Sequence, residues 1–267
     1  MEYSKAKELF TVTNINEIKH FNSIAFSYSK SELVDALVKK ENPMVFILGD
    51  PGSGKSYLLN YVKENLKELK IAKYFTYPFF DEKEFLEILF SLVGPNIRRD
   101  DYNIDYITNK LKNEFGELEY AIFIDEAQHL DEKTIELIRI LSDQKIFQFI
   151  LAMHKKEGEY VLKKPQFHTR NPKKIVLDEL NNDEVLRYIQ ETLLSQNLSK
   201  VASEFKKSHI KLIREYTHKN LRAIKKLLST MFEIIRLSKE KNLKKYSYIN
   251  NHTITMAAID TGMLNVK

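Results

Sequence analysis

The sequence predicts an α/β protein with a parallel β-sheet, followed by an all-helical C-terminal region. Short apolar runs, which are typical of buried strands, alternate with amphipathic segments as far as about residue 177. From about residue 181 the strand pattern stops and only helical spacing continues. The expected organisation is therefore a leading segment over 1–43, a core over 44–180 and a helical region over 181–267.

The individual elements follow from the same periodicities. The predicted strands are 44–48, 71–77, 120–124, 147–153 and 174–177. The predicted helices are 31–40, 55–69, 81–93, 102–115, 131–142, 181–194, 204–216, 220–238 and 253–261. A polar connection is expected over 154–172, and Asn181 and Glu184 have the spacing of a capping box. Because the carboxyl ends of parallel strands share one edge of a sheet, a ligand site is expected there.

A phosphate-binding loop follows the first predicted strand. Residues 49–56 read Gly-Asp-Pro-Gly-Ser-Gly-Lys-Ser, which fits the P-loop pattern G-x-x-x-x-G-K-[ST]. A strand, a glycine-rich loop and a helix start direct backbone N–H groups and a helix dipole at one anion. The predicted nucleotide-binding residues are Gly49, Asp50, Pro51, Gly52, Ser53, Gly54, Lys55, Ser56 and Tyr57. Lys55 would contact the β- and γ-phosphates of ATP, and the Ser56 hydroxyl would bind Mg²⁺.

A second motif lies at the end of the predicted strand 120–124. There Asp125 and Glu126 follow an apolar run, which is the Walker B pattern. Asp125 would hold Mg²⁺ and Glu126 would polarise the water that attacks the γ-phosphate. The alternative is an ordinary strand end with two solvated carboxylates, and the P-loop 70 residues upstream favours the functional interpretation.

Composition restricts the remaining classes. The 267 residues include no cysteine, so disulfides and thiolate metal sites are excluded. Apolar stretches stay well below the ~20 residues of a membrane helix, and the N-terminus has no signal-peptide pattern, so a cytoplasmic protein without direct membrane insertion is expected.

The charge is distributed unevenly along the chain. Residues 196–267 carry 15 basic and 5 acidic side chains, whereas residues 1–195 carry 27 and 32. This asymmetry indicates a basic C-terminal surface that would suit nucleic acid, acidic lipid or an acidic partner. A set of solvated lysine-rich helix faces would give the same count, so both interpretations stay open.

Several classes of P-loop protein are disfavoured. Asn109 and Lys110 are followed by Leu111 and Lys112, so the guanine-reading motif Asn-Lys-x-Asp is missing. A helicase with this Asp-Glu-Ala-Gln sequence would need a second core domain, for which too few residues remain. A small-molecule kinase rarely has Glu directly after the Walker B Asp.

The remaining arrangement resembles AAA+ ATPases, with a helical lid after the core. Residues 125–130, Asp-Glu-Ala-Gln-His-Leu, are similar to the general secretion pathway protein A (ExeA-like) family and to the transposition ATPases TniB and MuB. The run from Arg170 through 177–184 to Tyr188 and Ile189 resembles that family's link from core to lid. The resemblance covers about residues 8 to 262.

The resemblance implies three further site residues. His154, after the strand 147–153, falls at the sensor 1 position, although an exposed loop histidine is an alternative. Arg170 falls where the family has an arginine that reaches a neighbouring subunit's nucleotide, and a surface arginine is the alternative. Arg222 falls at the lid arginine called sensor 2, although the Gly and Pro of the family's Gly-x-Pro-Arg are missing here.

Two roles are compatible with this resemblance. In the first, a homo-oligomer formed on ATP binding assembles a secretion, pilus or DNA-uptake apparatus, through a membrane-protein partner and with peripheral location at the inner membrane. In the second, the chain is an ATP-gated DNA-binding regulator of transposition or replication.

Overall fold

The computed structural model describes residues 2–11, 23–78, 81–92, 104–168 and 170–264. Contacts divide the chain into two compact units: Phe26–Asp178, here called the core unit, and Met1–Ala25 with Glu179–Lys267, here called the helical unit. The leading segment predicted over 1–43 is thereby divided between the two. The predicted helix ends at Val93 and Tyr102 lie outside the described residues.

The core unit contains a parallel five-stranded sheet in the order β2-β3-β4-β1-β5. Its strands are β1 (Met44–Gly49), β2 (Lys70–Phe75), β3 (Tyr120–Ile124), β4 (Phe147–Met153) and β5 (Lys173–Leu177). These bounds confirm the predicted α/β class, and the strand ends differ from the predicted ones by no more than two residues. β1 and β4 are buried along their whole length, which explains why they read as continuous apolar runs.

Helices cover both faces of this sheet. The core helices are α2 (Ile24–Lys39), α3 (Lys55–Asn65), α4 (Glu82–Ser91), α5 (Ile104–Phe115), α6 (Glu132–Asp143), α7 (Lys155–Leu162) and α8 (Pro165–His168). Alternate residues of β1 lie in the apolar clusters on opposite faces of the sheet. Phe46 packs with residues of α4 to α8, and Ile47 packs with residues of α2 and α3. The period of two along a strand produces this division.

In the core unit two helices were not predicted and one helix start was predicted wrongly. The polar stretch 154–172 contains two short helices, α7 and α8, which have few apolar residues and therefore no clear periodicity. The helix predicted from residue 31 begins at Ile24, so Ser29 and Ser31, either of which could cap a helix beginning at 31, lie inside it. The Ser29 hydroxyl donates to the carbonyl of Val176, 3.1 Å away.

The helical unit has its own apolar core. Its helices are α1 (Glu2–Phe10), α9 (Asn182–Leu194), α10 (Ser199–Ser203), α11 (Lys207–Thr217), α12 (Leu221–Glu240) and α13 (Asn251–Asp260). Helix α9 begins with the predicted capping box, in which Asn181 and Glu184 each bind the other's backbone N–H at 2.9 Å. The prediction missed α1, which packs on α12 and buries Tyr3 and Phe10 beside Phe232.

Within the parts of the chain that the structure describes, every helix is too short or too polar to cross a membrane.

Candidate nucleotide-binding site

The loop between β1 and α3 is shaped by its glycines. Gly52 and Gly54 have φ values of 78° and 101°, in the left-handed region that side chains with a Cβ rarely adopt. A Cβ on Gly49 would lie 2.4 Å from the Ser53 Oγ atom and 3.1 Å from the Leu177 carbonyl oxygen. The chain therefore turns tightly between strand and helix, as a phosphate-binding loop requires.

Lys55 is the first residue of α3 and only 4% exposed. Its ammonium donates hydrogen bonds to the carbonyl oxygens of Gly49 and Asp50, at 2.9 and 3.2 Å. These bonds fold the side chain back over the loop, so its charge lies beside the backbone N–H groups at the start of α3. An anion bound there would meet both the ammonium and the positive end of the helix dipole.

The two predicted magnesium ligands are in contact. The Ser56 hydroxyl lies beside the carboxylate of Asp125, which accepts a hydrogen bond from the Glu126 N–H at 2.9 Å. Burial raises the pKa of Asp125, while the Ser56 hydroxyl, the Glu126 N–H and the charge of Lys55 act in the opposite direction. The fold therefore unites the two sequence motifs in one site.

This donor set fits a magnesium ion. A carboxylate and a hydroxyl oxygen are hard ligands of the kind Mg²⁺ takes, and Mg²⁺ usually binds through one or two protein groups plus substrate phosphates. Asp125 is 4% exposed, so a cation beside it would compensate a charge that burial disfavours. Ser56 and Asp125 would hold the ion, which supplies charge neutralisation at the phosphates.

Glu126 lies next to Asp125 in an unusual backbone conformation. Its φ of 51° and ψ of 35° are left-handed, which costs a non-glycine residue of order 1 kcal/mol. Its Oε2 atom accepts a hydrogen bond from the Gln128 side-chain amide and lies 3.6 Å from Nε2 of His154. Both Glu126 and His154 keep about 30% of their side-chain surface exposed, so solvent reaches the carboxylate.

His154 follows β4 and precedes α7, so it lies at the same edge of the sheet as Glu126. Its backbone N–H donates to Oε1 of Gln128 at 3.2 Å. The predicted sensor 1 position is thus beside the Walker B carboxylate, although its sensor role stays a prediction.

Two residues at this edge were missed as site residues. Gln128 was quoted in the motif, but only the structure shows that it links β3 to β4. Gly158 in α7 allows close packing, because a Cβ there would lie 2.2 Å from Leu48 Cδ2 and 3.1 Å from Met153 Cγ. A glycine inside a predicted polar stretch was the available signal, since the chain has only seven glycines.

Arg170 is not brought to this site within the chain. Its Nε donates to both carboxylate oxygens of Asp143, at 2.8 and 3.1 Å, and its Nη1 donates to the Gln166 carbonyl. Asp143 is at the end of α6, and Arg170 shortly precedes β5, so both lie at the edge of the sheet opposite the P-loop. A catalytic role for Arg170 is therefore compatible only with action on a second subunit.

Two other predicted residues have identifiable surroundings. The Tyr57 ring packs against Phe26 with centroids 5.2 Å apart, so it contributes to the core between α2 and α3. Arg222 is exposed in the first turn of α12, where it forms no hydrogen bond or ion pair with any residue that the structure describes. Nucleotide contacts of both residues stay predictions.

Comparison with protein families agrees with this geometry. Residues 38–161 match a family model described as "AAA domain", and this range includes the P-loop, the Walker B carboxylates and His154. No protein of curated function matches the chain in sequence.

Solved structures extend the likeness to most of the chain. Cdc6p from Pyrobaculum aerophilum is 13% identical with a TM-score of 0.59, covering 88% of this chain and 66% of that one. Drosophila ORC bound to DNA is 10% identical with a TM-score of 0.63, covering 96% and 65%. The Thermotoga maritima RuvB Holliday junction branch migration motor is 17% identical with a TM-score of 0.53, covering 93% and 72%.

This fold is of the AAA+ type. At these identities the likeness establishes the fold alone, and the chain spans slightly less than two thirds of the first two structures' length. The match confirms the predicted AAA+ P-loop fold with its helical C-terminal region. It leaves the narrower resemblance to the secretion and transposition ATPases as a hypothesis.

Proposed function

We propose that this chain is a magnesium-dependent ATPase that hydrolyses ATP to ADP and phosphate. The observation that carries the proposal is the position of the Ser56 hydroxyl beside the Asp125 carboxylate, because it brings the P-loop to the end of the Walker B strand. Glu126, which is adjacent to Asp125 and partly open to solvent, would accept a proton from the attacking water. Lys55 binds the phosphates and lowers the repulsion that an anionic substrate would meet.

The direct test compares phosphate release by the wild-type chain and by Glu126→Gln, with Mg²⁺ and with EDTA. The amide keeps the size of the side chain but cannot act as a base, so we expect a rate loss of ~10²-fold or more with ATP binding retained. Glu117→Gln is the matched control, because Glu117 is an exposed glutamate at the opposite end of β3. Equal turnover by wild type and Glu126→Gln would exclude the role of Glu126.

The biological role of this activity has two candidates. Assembly of a secretion, pilus or DNA-uptake apparatus rests on the resemblance of residues 125–130 to the ExeA-like family, and would require a membrane-protein partner. Action on DNA rests on the same resemblance to TniB and MuB, and has additional support in the surface of the helical unit. We therefore favour an ATP-dependent, oligomeric DNA-binding regulator.

That support comes from residues 239–248, which comprise the last two residues of α12 and the connection after it. This segment has four lysines, one glutamate and two tyrosines. Lys241, Lys244 and Lys245 are exposed and form no ion pair with any described residue, and Tyr248 is 53% exposed. Positive charges beside an exposed aromatic ring suit phosphates and unpaired bases.

The backbone of this segment is held in place. Leu243 N–H donates to the Ser238 carbonyl at 2.8 Å, and Ile249 is buried with its N–H directed at Glu204 at 3.2 Å. The Asn250 side chain donates to the carbonyls of Lys245 and Tyr248. The lysines therefore project from a defined loop, which favours an interaction surface over a mobile charged tail.

Fluorescence anisotropy with labelled single-stranded and duplex oligonucleotides tests this role. We expect dissociation constants of ~10⁻⁴–10⁻⁶ M at physiological salt that weaken log-linearly with salt. The triple variant K241E/K244E/K245E should lose most of the affinity. The control K206E/K207E/K211E changes the same net charge on α11 and should lose less, partly because Lys207 already pairs with Asp183 at 3.5 Å.

Each of two outcomes would contradict a different part of this proposal. Equal losses in the two triple variants would mean that net charge alone drives binding, which would exclude residues 239–248 as the DNA surface. Binding to vesicles of anionic lipid with none to oligonucleotides would favour the apparatus role at the membrane. Neither outcome affects the ATPase proposal, since the charged loop belongs to the helical unit.

A further inference from the structure

The side chain of Gln128 connects the ends of two adjacent strands. It lies in the short 3-10 helix Ala127–His129 directly after the Walker B carboxylates. Its Nε2 donates to Oε2 of Glu126, and its Oε1 accepts from the backbone N–H of His154 at 3.2 Å. One carboxamide thus joins the end of β3 to the residue that follows β4.

The chemistry of the two partners fixes how the carboxamide is turned. A carboxylate only accepts and a backbone N–H only donates, so the amide nitrogen must face Glu126 and the amide oxygen must face His154. The His154 N–H is the first backbone group after β4, so its position is set by the sheet. Gln128 thereby fixes the position of the Glu126 carboxylate relative to the end of β4.

Glu126 has a reason to need such support. The left-handed backbone conformation of Glu126 is unfavourable for a residue with a side chain, and that side chain is about 30% exposed. An exposed glutamate side chain has several rotamers of similar energy, and ordering it costs up to about 2 kcal/mol. The bond from Gln128 selects one position and engages Oε2, while Oε1 accepts no hydrogen bond from any residue that the structure describes.

We propose that Gln128 is a positioning residue for ATP hydrolysis, which holds Glu126 in the orientation that polarises the attacking water. The inference rests on the proposed role of Glu126 as the base. In this role Gln128 acts through Glu126, with which its amide is in contact. Because proton abstraction depends on placement within about 1 Å, losing the bridge should slow hydrolysis without weakening ATP binding.

Steady-state kinetics of two Gln128 variants test the inference. Gln128→Met keeps the length of the side chain and removes both hydrogen bonds, and we expect kcat to fall about tenfold to a hundredfold with KM for ATP changed less than about twofold. Gln128→Glu keeps the acceptor for His154 N–H but sets a second carboxylate against Glu126, so its kcat should fall at least as far. Gln144→Ala, which removes an exposed glutamine at the end of α6, is the control and should retain wild-type kcat.

A double-mutant cycle separates positioning from a general structural effect. In a Glu126→Gln background the base is already absent, so Gln128→Met should slow hydrolysis by less than about twofold. A full additional loss in that background would overturn the inference, because Gln128 would then act independently of Glu126. Wild-type or faster turnover by Gln128→Met alone would overturn it as well.

The failure of this inference can be distinguished from failure of the ATPase proposal. If Glu126→Gln abolishes turnover and Gln128→Met does not change it, only the positioning role is excluded. If Glu126→Gln has wild-type turnover, the base assignment itself is excluded. Circular dichroism and binding of a non-hydrolysable ATP analogue confirm that each variant is folded and competent to bind.

Discussion

The core unit and the helical unit organise their candidate functional residues differently. In the core unit, groups distant in sequence, such as Ser56, Asp125 and His154, meet because parallel strands end at one edge. In the helical unit the candidate groups, Arg222 and the lysines of 239–248, are exposed and lie on separate stretches of surface. The strand ends of a parallel sheet bring polar side chains together at one site, whereas the packed helices leave their basic side chains spread over the surface.

Lys55→Ala should have the largest effect and should be confined to the core unit's function. Its ammonium is the predicted ligand of the β- and γ-phosphates. A charged hydrogen bond contributes about 1.5–3 kcal/mol, so the loss of one bond to each phosphate corresponds to at least about a hundredfold loss of ATP affinity. Isothermal titration with ATP, alongside circular dichroism, measures this. Near-normal affinity in a folded variant would contradict the P-loop assignment, and loss of oligonucleotide binding would show that the two units do not act separately.

Arg170→Ala should slow hydrolysis more than it weakens ATP binding. An arginine that stabilises the transition state contributes up to 10³–10⁵ in kcat, although its present ion pair with Asp143 must be broken first. Because Arg170 lies at the opposite edge of the sheet, mixing Arg170→Ala with Lys55→Ala subunits should restore activity. Arg187→Ala, an exposed arginine paired with Glu191 on α9, is the control. Full activity of Arg170→Ala at every protein concentration would exclude the role in trans.

Gly158→Ala tests whether close packing at the site's edge matters for stability. The added Cβ would lie 2.2 Å from Leu48, which is fully buried and cannot move freely. Overpacking of this kind costs about 1–3 kcal/mol, more than the gain of about 1 kcal/mol from helix propensity. Urea unfolding measures the difference, with Glu157→Ala in the same helix as the control. An unchanged or increased free energy of unfolding would mean that β1 and α7 separate readily.

Glu233→Gln should have the smallest effect and should depend on pH. The hydrogen bond from Arg236, followed by contacts with Lys7, lowers the pKa of Glu233 from 4.5 to about 2. Since the pKa is lower in the folded state, the contribution is present above about pH 4.5 and is lost as the pH falls toward 2. Because the pair is partly exposed, we expect at most about 1 kcal/mol at pH 7. Urea unfolding at pH 7 and pH 3 measures this, and the difference in free energy of unfolding between wild type and Glu233→Gln should be smaller at pH 3. The control is Glu215→Gln, at an exposed glutamate, and its free energy of unfolding should equal that of the wild type at both pH values.

Sequence patterns predicted the structure best where a property of neighbouring residues determines it. The continuous apolar runs of β1 and β4, the capping box at Asn181 and the glycines of the P-loop were all readable, because each depends on neighbouring residues. Helices α1, α7 and α8 were missed, because they have few apolar residues and these pack only against elements that are distant in the sequence. The DNA or partner role stays a proposal because a count of lysines does not reveal which of them are paired.

The α/β core, the phosphate loop and the acidic pair after β3 can be predicted from local patterns, since glycine, charge and strand periodicity act locally. Three contacts appear only once the chain is folded: Ser56 beside Asp125, Gln128 between Glu126 and His154, and Arg170 with Asp143 away from the P-loop. They follow from the order β2-β3-β4-β1-β5, which makes neighbours of strands that are far apart along the chain. No local pattern encodes that adjacency, because it arises from how the helices cover both faces of the sheet.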